Sequence, residues 1–168
     1  MTHDTARIDA LTPRGKYFED FSPGARFVTS RRTVTQTDIV NFAGLSGDYN
    51  APHVDHEFCK TQPYGEPIAH APLVLAISTG LLCQLGLNDG TLIAMLGIDG
   101  WRIHAPVRHG DTLHVVATVT AVRPTSKRDR GVVTFERAIV NQEGVAVQQM
   151  TVQCMYACRA VKENSNAD

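Results

Sequence analysis

Asp48 and His53 stand five residues apart in the run FAGLSGDYNAPH, Phe42 to His53. A carboxylate and an imidazole brought to one point can hold a water molecule and move its protons. On a continuous helix these two side chains would diverge, but the stretch between them contains Asn50 and Pro52, so an irregular loop stiffened by the pyrrolidine ring can turn both inward. Such a pair suits addition of water to a double bond. One group takes a proton from water as its oxygen attacks carbon, and the other supplies a proton to the neighbouring carbon. The same spacing taken alone also fits a turn-forming aspartate followed by a surface histidine.

A second segment, Pro67 to Leu75 (PIAHAPLVL), leads into an apolar run with the small residue Ala71 directly before Pro72. Proline is favoured in a first helical turn, and a helix start offers free N–H groups and the positive end of the helix dipole. A thioester carbonyl resting on the Ala71 N–H would have its developing enolate oxygen stabilised. Without Asp48 and His53 the segment would be an ordinary loop-to-helix junction.

The elements that must position these residues follow from pattern. Ala25 to Thr35 is β-branched after the Pro23-Gly24 turn and predicts a strand; Ile39 to Leu45 predicts a helix capped by Thr37 or Asp38 and ended by Ser46-Gly47. Asp48 to Ala69, rich in Asn, Pro, Gly and His, reads as loop. Pro72 to Leu87 is apolar almost all round and predicts a buried helix. Leu92 to Pro106, Thr112 to Arg123, Val132 to Gln142 and Val145 to Cys158 are Val- and Thr-rich strands, separated by turns at Gly110-Asp111, Ser126 to Gly131 and Asn141 to Gly144. The fold class is therefore α+β, a long antiparallel sheet wrapped around one helix. Residues 1–15 are expected to be a flexible arm, 16–160 the domain and 161–168 a flexible tail.

Composition removes several function classes. With 16 Lys plus Arg against 17 Asp plus Glu, the chain has no net field for a nucleic acid or an anionic membrane. The N-terminal residues do not read as a secretion signal and no apolar stretch would span a bilayer, which suggests the cytoplasm. The four cysteines form no C-x-x-C pair and are read as small hydrophobes. His53, Asp55 and His56, even with His70 and His104, supply no evident convergent ligand set, so no metal is expected. Kinases, nicotinamide dehydrogenases and serine hydrolases lack their glycine-rich loop or G-x-S-x-G elbow here. The basic turn at Lys127 and Arg128 can contact phosphates or simply be solvated. Tyr49 and Trp101 can line an acyl pocket or merely pack.

The run GLSGDYNAPHVD, followed by PIAHAPL and then by WRIHAPVRHGDTL (Trp101 to Leu113), resembles the MaoC-type (R)-specific enoyl-CoA hydratases and dehydratases over about Tyr17 to Tyr156. That resemblance implies a hot-dog fold, a homodimer or a multiple of it with sites at or near the subunit interface, and hydration of a trans-2-enoyl thioester to the (R)-3-hydroxyacyl thioester. CoA or an acyl-carrier protein enters as part of the substrate, with no separate cofactor. Carried over by residue, it makes Asp48 and His53 the catalytic pair, Asn50 and Thr79 loop-ordering or water-positioning residues, and the Ala71 N–H the oxyanion donor. Tyr49, His70, Trp101, Lys127 and Arg128 are substrate-binding candidates. Two positions depart from the family pattern: Ala51-Pro52 stands where Pro and an aliphatic residue are common, and Ala71 replaces the usual Gly. Two other readings use the same architecture, an acyl-CoA thioesterase and a non-catalytic acyl-binding subunit.

Overall fold

Residues 13–159 are described by a computed structural model. The expected tail lies outside that range, as does most of the expected arm; Gly15, at the arm's end, donates its N–H to Asp89 O at 2.8 Å. A short 3-10 turn, Phe18–Asp20, precedes β1 (Arg26–Val28) and β2 (Arg32–Thr33). The single strand expected over Ala25 to Thr35 is thus two short ones, both paired with the same neighbour. Between them the Thr29 hydroxyl takes the Val115 N–H at 2.9 Å.

Helix α1 (Gln36–Ser46) starts upstream of the expected Ile39 because Thr35, not Thr37 or Asp38, is its cap. The Thr35 hydroxyl accepts the Asp38 N–H at 3.1 Å, and the Asp38 carboxylate accepts the Thr35 N–H at 2.8 Å, which closes a capping box. Gly47 ends the helix in the left-handed conformation (φ 76°) that side chains resist. The stretch expected to be all loop contains two short helices, α2 (Ala51–Val54) and α3 (His56–Lys60). They form because Pro52 presets the first turn of α2 and the Asp55 carboxylate caps α3 through the Phe58 N–H.

Helix α4 (Ala71–Gln84) is followed by β3 (Leu92–Ile103), β4 (Thr112–Pro124), β5 (Arg130–Val140) and β6 (Ala146–Ala157). Together with β1 and β2 these make a six-stranded antiparallel sheet in the order β1-β4-β5-β6-β3, with β2 also on β4. Alternation along β4 and β6 sends Leu113, Val115, Ala117 and Val119, and Met150, Val152, Cys154 and Tyr156, to one buried face. That face closes on Leu73, Val74, Ile77, Leu81 and Leu82 of α4. Each such side chain contributes about 1.5–3 kcal/mol by leaving water. A long sheet curved over one helix is the hot-dog arrangement.

The expectation that α4 is buried all round is corrected. Ala76, Thr79, Gly80, Cys83 and Gln84 make an exposed face in the single chain, because the sheet covers only one side of the helix. Among the described residues no helix is long and apolar enough to cross a membrane.

Candidate active site

Three sequence segments meet where α4 begins. The Ile68 N–H donates to Pro52 O at 3.0 Å, which ties the α4 lead-in to α2. The Ala69 N–H donates to Val107 O at 2.7 Å, and Ile68 bridges Arg108, which ties the same lead-in to the turn before β4. That turn is held by the Asp111 carboxylate, which accepts the Arg108 N–H at 2.7 Å, and by Gly110 at φ 91°. The three motifs are thus a backbone clamp around one point.

At that point the Asp48 carboxylate and the His53 ring face each other, with Oδ2 and Nε2 4.0 Å apart. The gap is too long for a direct hydrogen bond and wide enough for one oxygen within reach of both. His53 Nδ1 donates to Ile68 O at 2.7 Å, and a carbonyl can only accept, so the neutral ring presents an unprotonated Nε2 toward Asp48. Asp48 has its other oxygen engaged: Oδ1 accepts the Asn50 N–H at 3.3 Å and the Asn50 side-chain amide at 2.6 Å. The backbone bond from Asn50 does most to hold the Asp48 carboxyl below the ordinary carboxylate range. Partial loss of water opposes it, and the Asn50 side-chain amide adds to it. Asn50 thus engages Oδ1 from both its backbone and its side chain, while Oδ2 has no hydrogen-bond partner among the described residues.

His53 opens onto a cleft of about 250 Å³ that Ile68, Ala71, Val74, Ile103 and Gln148 help to line. The Ala71 N–H is the first of α4 and has no acceptor within the helix, so the dipole end and a free donor stand in the cleft wall. Of the pair, His53 lines this cleft and Asp48 stands behind it.

The remaining expected site residues are distributed differently. His70 is buried behind the pair and does not line the cleft: its Nε2 is 2.9 Å from Asp48 O, and its ring stacks on His53 with centroids 3.7 Å apart. Trp101 also acts from behind, donating from Nε1 to Gln148 Oε1 at 3.0 Å. Tyr49 is exposed and its hydroxyl lies over Gly44 rather than in the cleft. Thr79 sits eight residues along α4 from Ala71, roughly 12 Å at the helical rise, with its hydroxyl on Leu75 O. Lys127 and Arg128 occupy the turn at the far end of β4, whose 13 residues span about 40 Å.

One residue escaped the sequence reading. Gln148 is buried, and its Nε2 donates to Ala71 O at 3.0 Å while its Oε1 receives Trp101. The signal was its place in the inward register of β6 with Met150, Val152, Cys154 and Tyr156, where a polar side chain needs a partner. Asp48, His53 and His70 present ligand-type atoms within 4.8 Å of one another. This convergence was not evident in the sequence, because His70 reaches Asp48 only through the fold, its Nε2 lying 2.9 Å from Asp48 O.

A curved sheet over one helix, with an acid–imidazole pair at a cleft by the helix start, defines a hot-dog protein with a candidate proton-transfer site. The MaoC like domain matches residues 20–141, and the chain belongs to that family. It is similar to Protein MaoC of Klebsiella aerogenes, 38% identical over 122 residues, which are 73% of this chain but 35% of that protein, so the match spans about a third of that relative. It is 32% identical over 111 residues to an (R)-specific enoyl-CoA hydratase of Rhodospirillum rubrum, covering 66% of this chain and 74% of that one. The solved structure of a MaoC-like dehydratase from the same organism superposes with a TM-score of 0.79 at 33% identity, covering 88% of this chain and 100% of that chain.

Proposed function

We propose that the protein is a hydro-lyase that reversibly hydrates a trans-2-enoyl thioester to the (R)-3-hydroxyacyl thioester. The observation that carries this reading is the 4.0 Å separation of Asp48 Oδ2 and His53 Nε2 beside the free N–H groups of α4. A water held between the two loses a proton to the ionised Asp48 as its oxygen adds to C3. That proton passes from Asp48 to the bare Nε2 of His53 and from there to C2, which restores both groups. The thioester oxygen, which gains charge in between, rests on the Ala71 N–H. One pair on one face of the double bond makes the addition syn.

CoA or an acyl carrier enters as part of the substrate, no separate cofactor takes part, and the reaction belongs to cytoplasmic fatty-acyl chemistry. A cleft of about 250 Å³ is small for a ligand site, which supports short acyl chains. The active unit is a homodimer or a multiple of it. β3 pairs only with β6 among the described residues, so its outer edge is open, with Ile93, Met95, Leu96 and Ile103 exposed, and α4 leaves its second face open, both of which a second copy would cover.

Incubation with crotonyl-CoA tests the reading, following loss of enoyl absorbance, release of free thiol and the chirality of the product. Loss of absorbance without thiol and an (R) product is the expected result. Thiol release would mean a thioesterase, and an (S) product or no turnover across a chain-length panel would overturn the proposal. Sedimentation should find no monomer at micromolar concentration.

A further inference from the structure

We infer that His70 is a positioning residue of the Asp48–His53 pair, acting as a neutral imidazole with its proton on Nε2. Its effect on turnover rests on the hydratase reading above; its tautomer does not.

Nε2 lies 2.9 Å from the backbone carbonyl of Asp48, an oxygen that only accepts, so this nitrogen carries the hydrogen. Nδ1 is buried and has no hydrogen-bond partner among the described residues, so a second proton there would be an unsatisfied donor away from water. The ring is fixed on both sides, stacked on His53 at 3.7 Å and 24° and set against Phe42 of α1 with centroids 5.1 Å apart. The titratable groups recorded against it are Asp48, from the loop after α1, and His53 of α2.

The Asp48 carboxylate Oδ2 is also 4.0 Å from His70 Nε2, the same distance as from His53 Nε2. The two imidazoles nevertheless differ in kind. His70 has committed its hydrogen to the Asp48 main chain and has no second one to give, whereas His53 donates away from Asp48 and presents Nε2 to it. His70 therefore stands outside the proton transfer. One contact sets the Asp48 backbone and the other sets the plane of the His53 ring, so the 4.0 Å gap in which water must fit is fixed from behind.

The test uses the full-length protein with His70→Phe and His70→Gln. Phenylalanine keeps the ring and the stack but not the donor; glutamine puts an amide N–H close to where Nε2 was. The expected result is a fall in kcat on the order of 100-fold for His70→Phe, as small displacements of reacting groups produce, with KM little changed because His70 is outside the cleft. His70→Gln should recover most of that loss. Full kcat in the Phe variant, equal losses in both variants, or a loss confined to KM would overturn the inference. Nitrogen-15 imidazole spectra of the wild-type protein decide independently of folding in the variants and of any turnover: Nε2–H with bare Nδ1 at residue 70 is expected, and the opposite tautomer would refute the role even in an active enzyme. Wild-type protein with the expected tautomer and no hydration would instead sink the hydratase reading alone.

Discussion

Asp48→Asn isolates the proposed proton acceptor with little other change. Asparagine retains a carbonyl oxygen where Oδ1 accepts both Asn50 donors, at 3.3 and 2.6 Å, so the loop keeps its shape. What changes is Oδ2, which becomes an amide that cannot take a proton from water. Positioned proton transfer is typically worth a factor of about 10²–10⁴, or roughly 3–5 kcal/mol of barrier. The same loss is expected from His53→Ala, because Nε2 stands 4.0 Å from Oδ2 and both groups serve one water. The double variant should then be hardly slower than the poorer single one, since groups that act as a unit fail as a unit. Steady-state hydration of crotonyl-CoA by all four proteins, with thermal melts alongside, measures this. The Asp48 side chain is 40% exposed and opens no cavity when changed, so melting should scarcely move. Additive losses, or a near-normal rate in either single variant, would refute the shared-water mechanism; a rise in KM at constant kcat would make the pair a binding element.

Asn50→Ala removes the side-chain donor and leaves the backbone N–H, so the Asp48 carboxyl should move part of the way up toward its ordinary range. Asp48 works ionised, so as pH falls the variant should lose rate before the wild type does; superimposable acid limbs in the pH–rate profiles would count against the role. Ala71→Gly removes a methyl from the cleft wall and leaves the N–H in place, so turnover should persist and rise for bulky acyl groups in a chain-length panel; loss of activity with the fold intact would show the oxyanion corner misplaced. Gly131→Ala would drive a methyl into the Phe18 ring and should cost about 1–3 kcal/mol in urea denaturation, with partial recovery in Gly131→Ala combined with Phe18→Ala; an unchanged midpoint would mean that the 3-10 turn yields freely.

The sheet was legible because β-branched runs and turn residues recur at hairpin spacing; the last three strands match their expected limits to within two residues. The short elements were not. α2 and α3 depend on Pro52 and on the Asp55 cap, signals too local for periodicity over so few residues. The exposed face of α4 escaped because Ala76, Gly80 and Cys83 count as apolar whether or not anything covers them. At the site, Asp48 and His53 were candidates by type and spacing and Asn50 by the family resemblance, whereas Gln148 needed the sheet register to show that it points at Ala71. Thr79 was carried over by family position, and only the helical rise shows that it stands about two turns beyond Ala71.

The same geometry constrains the partner. Trp101 belongs to the edge strand β3, and through Gln148 it is linked to Ala71, the peptide proposed to receive the oxyanion. A second copy docking on β3 would therefore press on one end of a chain of hydrogen bonds whose other end is the cleft wall. Lys127 and Arg128 lie at the opposite end of β4, about 40 Å of strand away from the Asp48 corner. Within one chain their charges stand a strand's length from a thioester carbonyl resting on Ala71. Changing both to glutamine should accordingly leave kcat on crotonyl-CoA unchanged, and a fall in kcat as large as that of Asp48→Asn would refute this placement.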